Sequence, residues 1–215
     1  MTSLALTPRA LYEEVAELLR QRIFNRSLPP GSWIDELRIA EELGISRTPM
    51  REALKVLAAE GLVTMKVRRG AYVTEVSEQD LRDVYDLLAL LESDAARDVC
   101  LRATDAQCRE LAEMHMQLVD SADPERGSRE RFFDINEAFH LRVLDVAGNR
   151  WRKQMVMDLR KVMKLNRHSS LFKTGRIQES LQEHDAIVQA MLARDANAAV
   201  EAVKRHFANG LTAAT

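Results

Sequence analysis

Two cysteines, two tryptophans, three tyrosines and six phenylalanines are few for a chain of 215 residues. Cys100 and Cys108 each fall inside a segment of helical pattern, so there is no disulfide framework, and free thiols of this kind suit a reducing cytoplasm. No apolar run approaches the ~20 residues that a membrane helix needs. The first residues also lack the basic start and apolar core of a secretion signal, so a cytoplasmic protein with no membrane partner is expected. Glycine and proline are scarce beyond the first third. With few aromatics and methionine at many apolar positions, this predicts a mainly α chain. Catalytic motifs are missing as well: there is no Ser or Cys nucleophile motif, no phosphate-cradling Gly-rich loop and no His-Glu-x-x-His pair. Nor is there an excess of basic charge, since the formal net charge is −2. Residues 1–76 carry eleven Lys and Arg against ten acids, a net of +1, and residues 77–215 carry twenty against twenty-three, a net of −3. Any nucleic-acid surface must come from local placement of arginine, not from bulk charge.

What is present is concentrated first in residues 46–54, Ser-Arg-Thr-Pro-Met-Arg-Glu-Ala-Leu. Ser46 is a good N-cap, Pro49 sits in the first turn where a missing amide costs little, and Glu52 and Ala53 continue a helix. Arg47, Thr48 and Arg51 gather at its positive end, where they suit phosphates and guanine edges. Upstream, residues 34–43 read as a shorter helix closed by Gly44 at a left-handed C-cap position. Helix, tight glycine turn, helix is the helix-turn-helix plan, whose second helix enters the major groove. A first helix from about Pro8 to Phe24, with Leu11, Val15, Leu18, Leu19 and Ile23 at helical spacing, would pack behind the pair. After Gly61, residues 62–67 and 71–76 are two short β-type runs joined by Arg68-Arg69-Gly70, a hairpin with a basic tip. The N-terminal part is thus predicted to be a winged helix-turn-helix, residues 1–76. Lys66, Arg68, Arg69 and Gly70 form a wing that reaches an adjacent groove, and Arg38 is suited to a phosphate.

Ser77 opens a capping-box pattern, and residues 77–215 read as an all-helical second domain with six or seven helices. They fall roughly at 78–99, 104–121, 128–147, 149–172, 174–193 and 195–211. Thr104 with Gln107 is a second capping box. Asn136 and His140 stand four apart and share a helix face. His184 and His206 each lie midway along a different predicted helix among apolar residues. Three imidazoles and a carboxamide oxygen converging in a helical bundle would hold a divalent transition metal such as zinc or nickel. Each histidine read alone is as well explained as a satisfied core or surface residue, and His115 and His168 stand in more polar settings.

These residues carry a family resemblance. Pro30-Gly31, Glu36-Leu-Arg-Ile-Ala40, the run from Gly44 to Leu54, Glu60-Gly-Leu-Val63 and Arg69-Gly-Ala-Tyr-Val73 resemble the winged helix of GntR-family bacterial transcription regulators. Glu92, Phe139-His140, Gly148-Asn149, Glu183-His184, Ile187, Ala190, Asp195, Ala199 and His206-Phe207 resemble the FCD ligand-binding domain of the FadR subfamily, an antiparallel helical bundle. A DNA-binding regulator working as a homodimer on a palindromic operator is expected, since two reading helices one DNA turn apart bind far better than one. The resemblance implies a metal held by Asn136, His140, His184 and His206 beside a bound small organic acid. Two departures stand out. Asn136 occupies a position where the family often has Asp, which leaves the site one negative charge short. Leu88, four residues before Glu92, replaces a family Arg associated with the effector carboxylate, so Arg167 and Lys164 are the candidates to hold the acid instead. A second possibility is a metal-dependent enzyme in which the three histidines activate water, though Glu183 and Asp185 are expected to point off the face of His184 and leave no placed general base.

Overall fold

The computed structural model describes residues 11–123, 125, 127–165 and 175–214, and its contacts divide into two compact units, residues 1–77 and 78–215. In the first unit, helices α1 (Leu11–Phe24), α2 (Glu36–Glu42) and α3 (Arg47–Ala59) precede strands β1 (Val63–Lys66) and β2 (Gly70–Val73). Val15, Ala16, Leu19 and Ile23 of α1 are buried at the spacing the sequence predicts, whereas Leu11 is half exposed. They pack against Met50, Ala53, Leu54 and Leu57, the buried stripe of α3. Each large side chain of that stripe contributes about 2 kcal/mol by leaving water. Arg20 of α1 also clamps Glu60 just past α3, with contacts of 2.9 and 3.1 Å. The face of α3 away from α1 stays in solvent, which is what a reading helix requires.

Between α2 and α3 the chain turns at Gly44, φ +64°, a conformation that a side chain would strain. The Ile45 amide then donates to the Ala40 carbonyl at 3.0 Å and ties off the end of α2. Asp35 caps the start of α2 by accepting from the Arg38 amide at 3.1 Å. Ser46 holds the N-cap position of α3 in extended backbone, but its side chain makes no capping bond, a departure from expectation. The first amides of α3 therefore remain outward-facing donors. The hairpin is antiparallel with Val63 opposite Val73 and Lys66 opposite Gly70, and its turn carries Arg68 at φ +60°. A third edge comes from the segment before α2: Ile34 N–H donates to Ala71 O at 2.9 Å, and Val73 N–H to Ser32 O at 2.9 Å. The wing is thus anchored to the segment leading into the reading pair.

The second unit holds six helices among the described residues: α4 (Glu78–Arg102), α5 (Asp105–Ser121), α6 (Arg129–Ala147), α7 (Arg150–Leu165), α8 (Arg176–Leu192) and α9 (Ala196–Ala214). The fold is mainly α, as predicted, and the Thr104–Gln107 capping box is formed in full. The predicted helix at 149–172 is described only to Leu165; its continuation lies outside the described residues. Helix α4, 25 residues long and ~37 Å at 1.5 Å per residue, packs against α6, α7, α8 and α9 and forms the axis of the bundle. Along it Leu81, Leu88, Ala95, Ala96 and Val99 are buried, and among them sits Glu92, an acidic side chain only 2% exposed. A buried carboxylate needs partners, and they define the site.

Candidate metal centre and nucleic-acid interface

On α3, Arg47, Thr48 and Arg51 are all exposed, as are Ser46, Arg38 on α2, and Lys66, Arg68 and Arg69 on the hairpin. Arg47, Arg51, Arg69 and Gly70 line one shallow depression with Trp33 and Leu37, so the start of the reading helix and the wing share a surface. Lys66 and Arg68 are not part of that depression; the Lys66 ammonium sits 4.3 Å from the centre of the Tyr72 ring. Gly70 has φ +87°, and a Cβ there would approach Trp33 Nε1 to 3.1 Å, so this position has both a conformational and a steric reason to be glycine. The Arg51 guanidinium lies 3.8 Å from Glu36, a loose and exposed pair that leaves it available to an anion.

In the bundle, α6 presents His140, α8 presents His184 and α9 presents His206. All three are buried, and one ligand nitrogen from each lies within 4.8 Å of the other two. Ring centroids are 4.8 Å apart for His184–His206, 5.0 Å for His140–His184 and 5.2 Å for His140–His206. Sequence periodicity within each helix could not show this convergence.

Two of the three imidazoles are oriented by carboxylates. His140 Nδ1 lies 2.6 Å from Glu92 Oε2, and His206 Nδ1 lies 2.7 Å from Glu183 Oε2. Both carboxyls are held down to about 2, against the cost of burial. Arg160 and His140 do this for Glu92; His206, Arg176 and Asn209 do it for Glu183. An ionised carboxylate only accepts, so Nδ1 of each histidine carries the proton and Nε2 keeps the lone pair. Burial, followed by the charge of Arg160, pushes His140 down to about 4, and burial with the other histidines pushes His184 well below its ordinary value. Both imidazoles are neutral near pH 7, the form that binds metals.

Neither ring nitrogen of His184 has a hydrogen-bond partner among the described residues, and neither does the buried Oδ1 of Asn136, one turn before His140. Unsatisfied buried acceptors and donors cost about 1–3 kcal/mol apiece, and here they cluster with two oriented imidazoles. A divalent ion answers that deficit, so the residues fit a metal.

The site opens on a cavity of about 100 Å³ whose lining includes Asn136, His140, His206, Arg160, Lys164 and Arg176. Lys164, a predicted effector contact, reaches it and pairs with Glu137 at 2.7 Å; Arg167, the other, lies outside the described residues, as does His168. Sequence reasoning missed Arg160. Arg152, Val156 and Arg160 recur every four residues on the buried face of α7, a stripe that could have revealed it. One further expectation is corrected. His115, read as polar in setting, is 6% exposed, because it continues the core stripe Cys108, Leu111, Leu118 of α5. Glu183 does not reach His184, but it is buried and holds His206, so its role is to orient a ring.

Comparison with known proteins decides the identity. Residues 11–73 match the family described as bacterial regulatory proteins, gntR family, and residues 83–209 match the FCD domain. The chain belongs to the GntR family. Its sequence is 27% identical over 200 residues to the HTH-type transcriptional regulator YdhC of Bacillus subtilis, covering 93% of this chain and 89% of that protein. It is 26% identical over 196 residues to the transcriptional repressor RspR of Escherichia coli, covering 91% and 85%. The fold is shared with E. coli McbR/YncC, with a TM-score of 0.77 at 21% identity over 95% of this chain and 97% of that one. The GntR-family relatives are transcriptional regulators, not enzymes. In this regulator the FCD domain is the part with the three-histidine cluster, and FCD domains are often metal-associated.

Proposed function

We propose that this GntR-family regulator binds a palindromic operator as a homodimer in the cytoplasm and is controlled by a small organic acid seated beside a divalent transition metal, zinc or nickel. Residues 1–76 read the DNA. Arg47 and Arg51 take base edges and Thr48 and Ser46 the adjoining phosphates, while Lys66, Arg68, Arg69 and Gly70 carry the wing along the backbone and Arg38 adds a phosphate contact. Residues 77–215 hold the dimer contact and the sensor. His140, His184 and His206 with Asn136 hold the metal, whose chemistry is to supply a positive pole for a carboxylate. Lys164 lies on the wall of the cavity where the acid would sit.

The observation that carries this reading is the deficit at His184: a fully buried imidazole with no hydrogen-bond partner among the described residues, facing two carboxylate-oriented histidines beside a cavity. Asn136 leaves the donor set neutral, and the charges of Glu92 and Glu183, one residue further out, supply what the first ligands lack. A ligand alters operator affinity only by binding one state of the dimer better than the other, and reciprocally DNA then weakens the ligand.

Fluorescence anisotropy of a labelled operator tests the proposal. Metal-loaded protein binds the operator and releases it when a small carboxylate is added. Metal-stripped protein binds and does not respond. Release that survives complete removal of the metal contradicts the proposal.

A further inference from the structure

The charge balance of the cavity constrains what can fill it. We infer that it takes a singly charged carboxylate with a compact apolar body, a branched aliphatic or single-ring acid, in preference to di- and tricarboxylates and polyhydroxy acids; this rests on the metal-dependent reading above.

Among the described residues, each cation on the cavity wall already has a carboxylate. Arg160 holds Glu92 at 2.6 Å, Arg176 holds Glu183 at 2.8 Å and Lys164 holds Glu137 at 2.7 Å. These three pairs sum to no net charge, and Leu88, fully buried on α4, adds none. Among the described residues, a dication held by three imidazoles and a carboxamide would then be the one net positive pole. The first carboxylate of a ligand has that pole as its partner. A second would meet Glu137 on the wall and, among the described residues, would have to break an existing ion pair to find a cation.

The rest of the wall excludes a polyhydroxy body for a different reason. Tyr85, Phe132, Phe133, Met163, Ile177 and Phe207 supply its apolar part. Hydroxyls placed against them would lose water and gain little in return. Size favours a compact body, since the cavity is about 100 Å³.

The test uses the full chain loaded with zinc, with metal content fixed first by elemental analysis, and calorimetric titration with benzoate, isovalerate, benzyl alcohol, succinate, citrate and D-gluconate. Benzoate or isovalerate should bind once per chain, at least ten-fold tighter than the other four. Met163→Trp, a filling substitution at a wall residue that is not itself a metal ligand, should keep zinc and lose that binding; Ile177→Phe gives a second, smaller filling should the first fail to fold. Tighter binding of succinate, citrate or gluconate overturns the inference and leaves the metal-dependent reading standing. Binding of none of the six to zinc-loaded protein, or undiminished benzoate binding in both filled variants, overturns it too. A chain that takes up no zinc contradicts the metal-dependent reading and removes this inference with it.

Discussion

The Glu92 carboxylate accepts the His140 N–H on one oxygen and two Arg160 N–H groups on the other, at 2.6, 2.9 and 2.6 Å. Its charge fixes the tautomer of His140 and strengthens the ring as a donor. Glu92→Gln removes the charge with little change in shape, and should weaken metal binding by about 10- to 100-fold. Glu183→Gln should do the same through His206. Competition with a metal-binding dye checks both, with circular dichroism to verify the helices. Unchanged affinity in both variants would show that these carboxylates only pack. The depressed histidines also set a pH dependence for the metal-free chain. His140 titrates near 4 in the folded chain and near 6.5 when exposed, so between those values the unfolded state binds the extra proton. Stability conferred by the neutral ring is therefore complete above about 6.5 and falls as pH drops towards 4. Thermal unfolding of metal-stripped protein across that range should show a falling midpoint. At the other site, Arg47→Ala should cost roughly 1–3 kcal/mol on the operator and blur base preference, leaving random DNA little affected. Equal losses on both DNAs would assign Arg47 to phosphate instead.

At the scale of elements, much was legible because capping and periodicity are local. Gly44 sits at positive φ where the turn required it, and Thr104 and Gln107 close their capping box; the hairpin forms as expected but its second strand runs from Gly70 to Val73, so Gly70 pairs with Lys66 instead of sitting in the connection. Asn136 and His140 could be read as neighbours since four residues make about one helical turn. Bringing α6, α8 and α9 to one point is set by packing against α4, and no single-helix pattern encodes that. Arg160, and the contact of Glu183 with His206, escaped for the same reason: a charged residue at a core position reads as exposed until its partner on another helix is known. Ser46 shows the opposite limit, a favoured cap residue whose side chain makes no cap bond. The wing carries its own prediction. Arg68→Ala with Arg69→Ala should weaken specific and random DNA together and lower the salt slope by about one for each phosphate the wing no longer neutralises. An unchanged slope would remove the wing from the interface.

At the scale of the whole molecule, linkage couples the two units without requiring that either touch the other's ligand. Two reading helices engaging half-sites about one DNA turn apart bind far better than one, so light scattering should give twice the chain mass and the operator should be palindromic. Metal should stabilise the helical unit by mass action. A metal at a hundred times its Kd contributes about 2.7 kcal/mol, or a rise of about 10 °C in Tm for a domain of this size. The most direct measurement is the metal content of purified protein never exposed to chelator, alongside that of His184→Ala. About one transition metal per chain, absent from the variant, is the expected result. A chain without metal, or a variant that keeps it, would contradict the assignment of His140, His184 and His206 as the sensor's metal site.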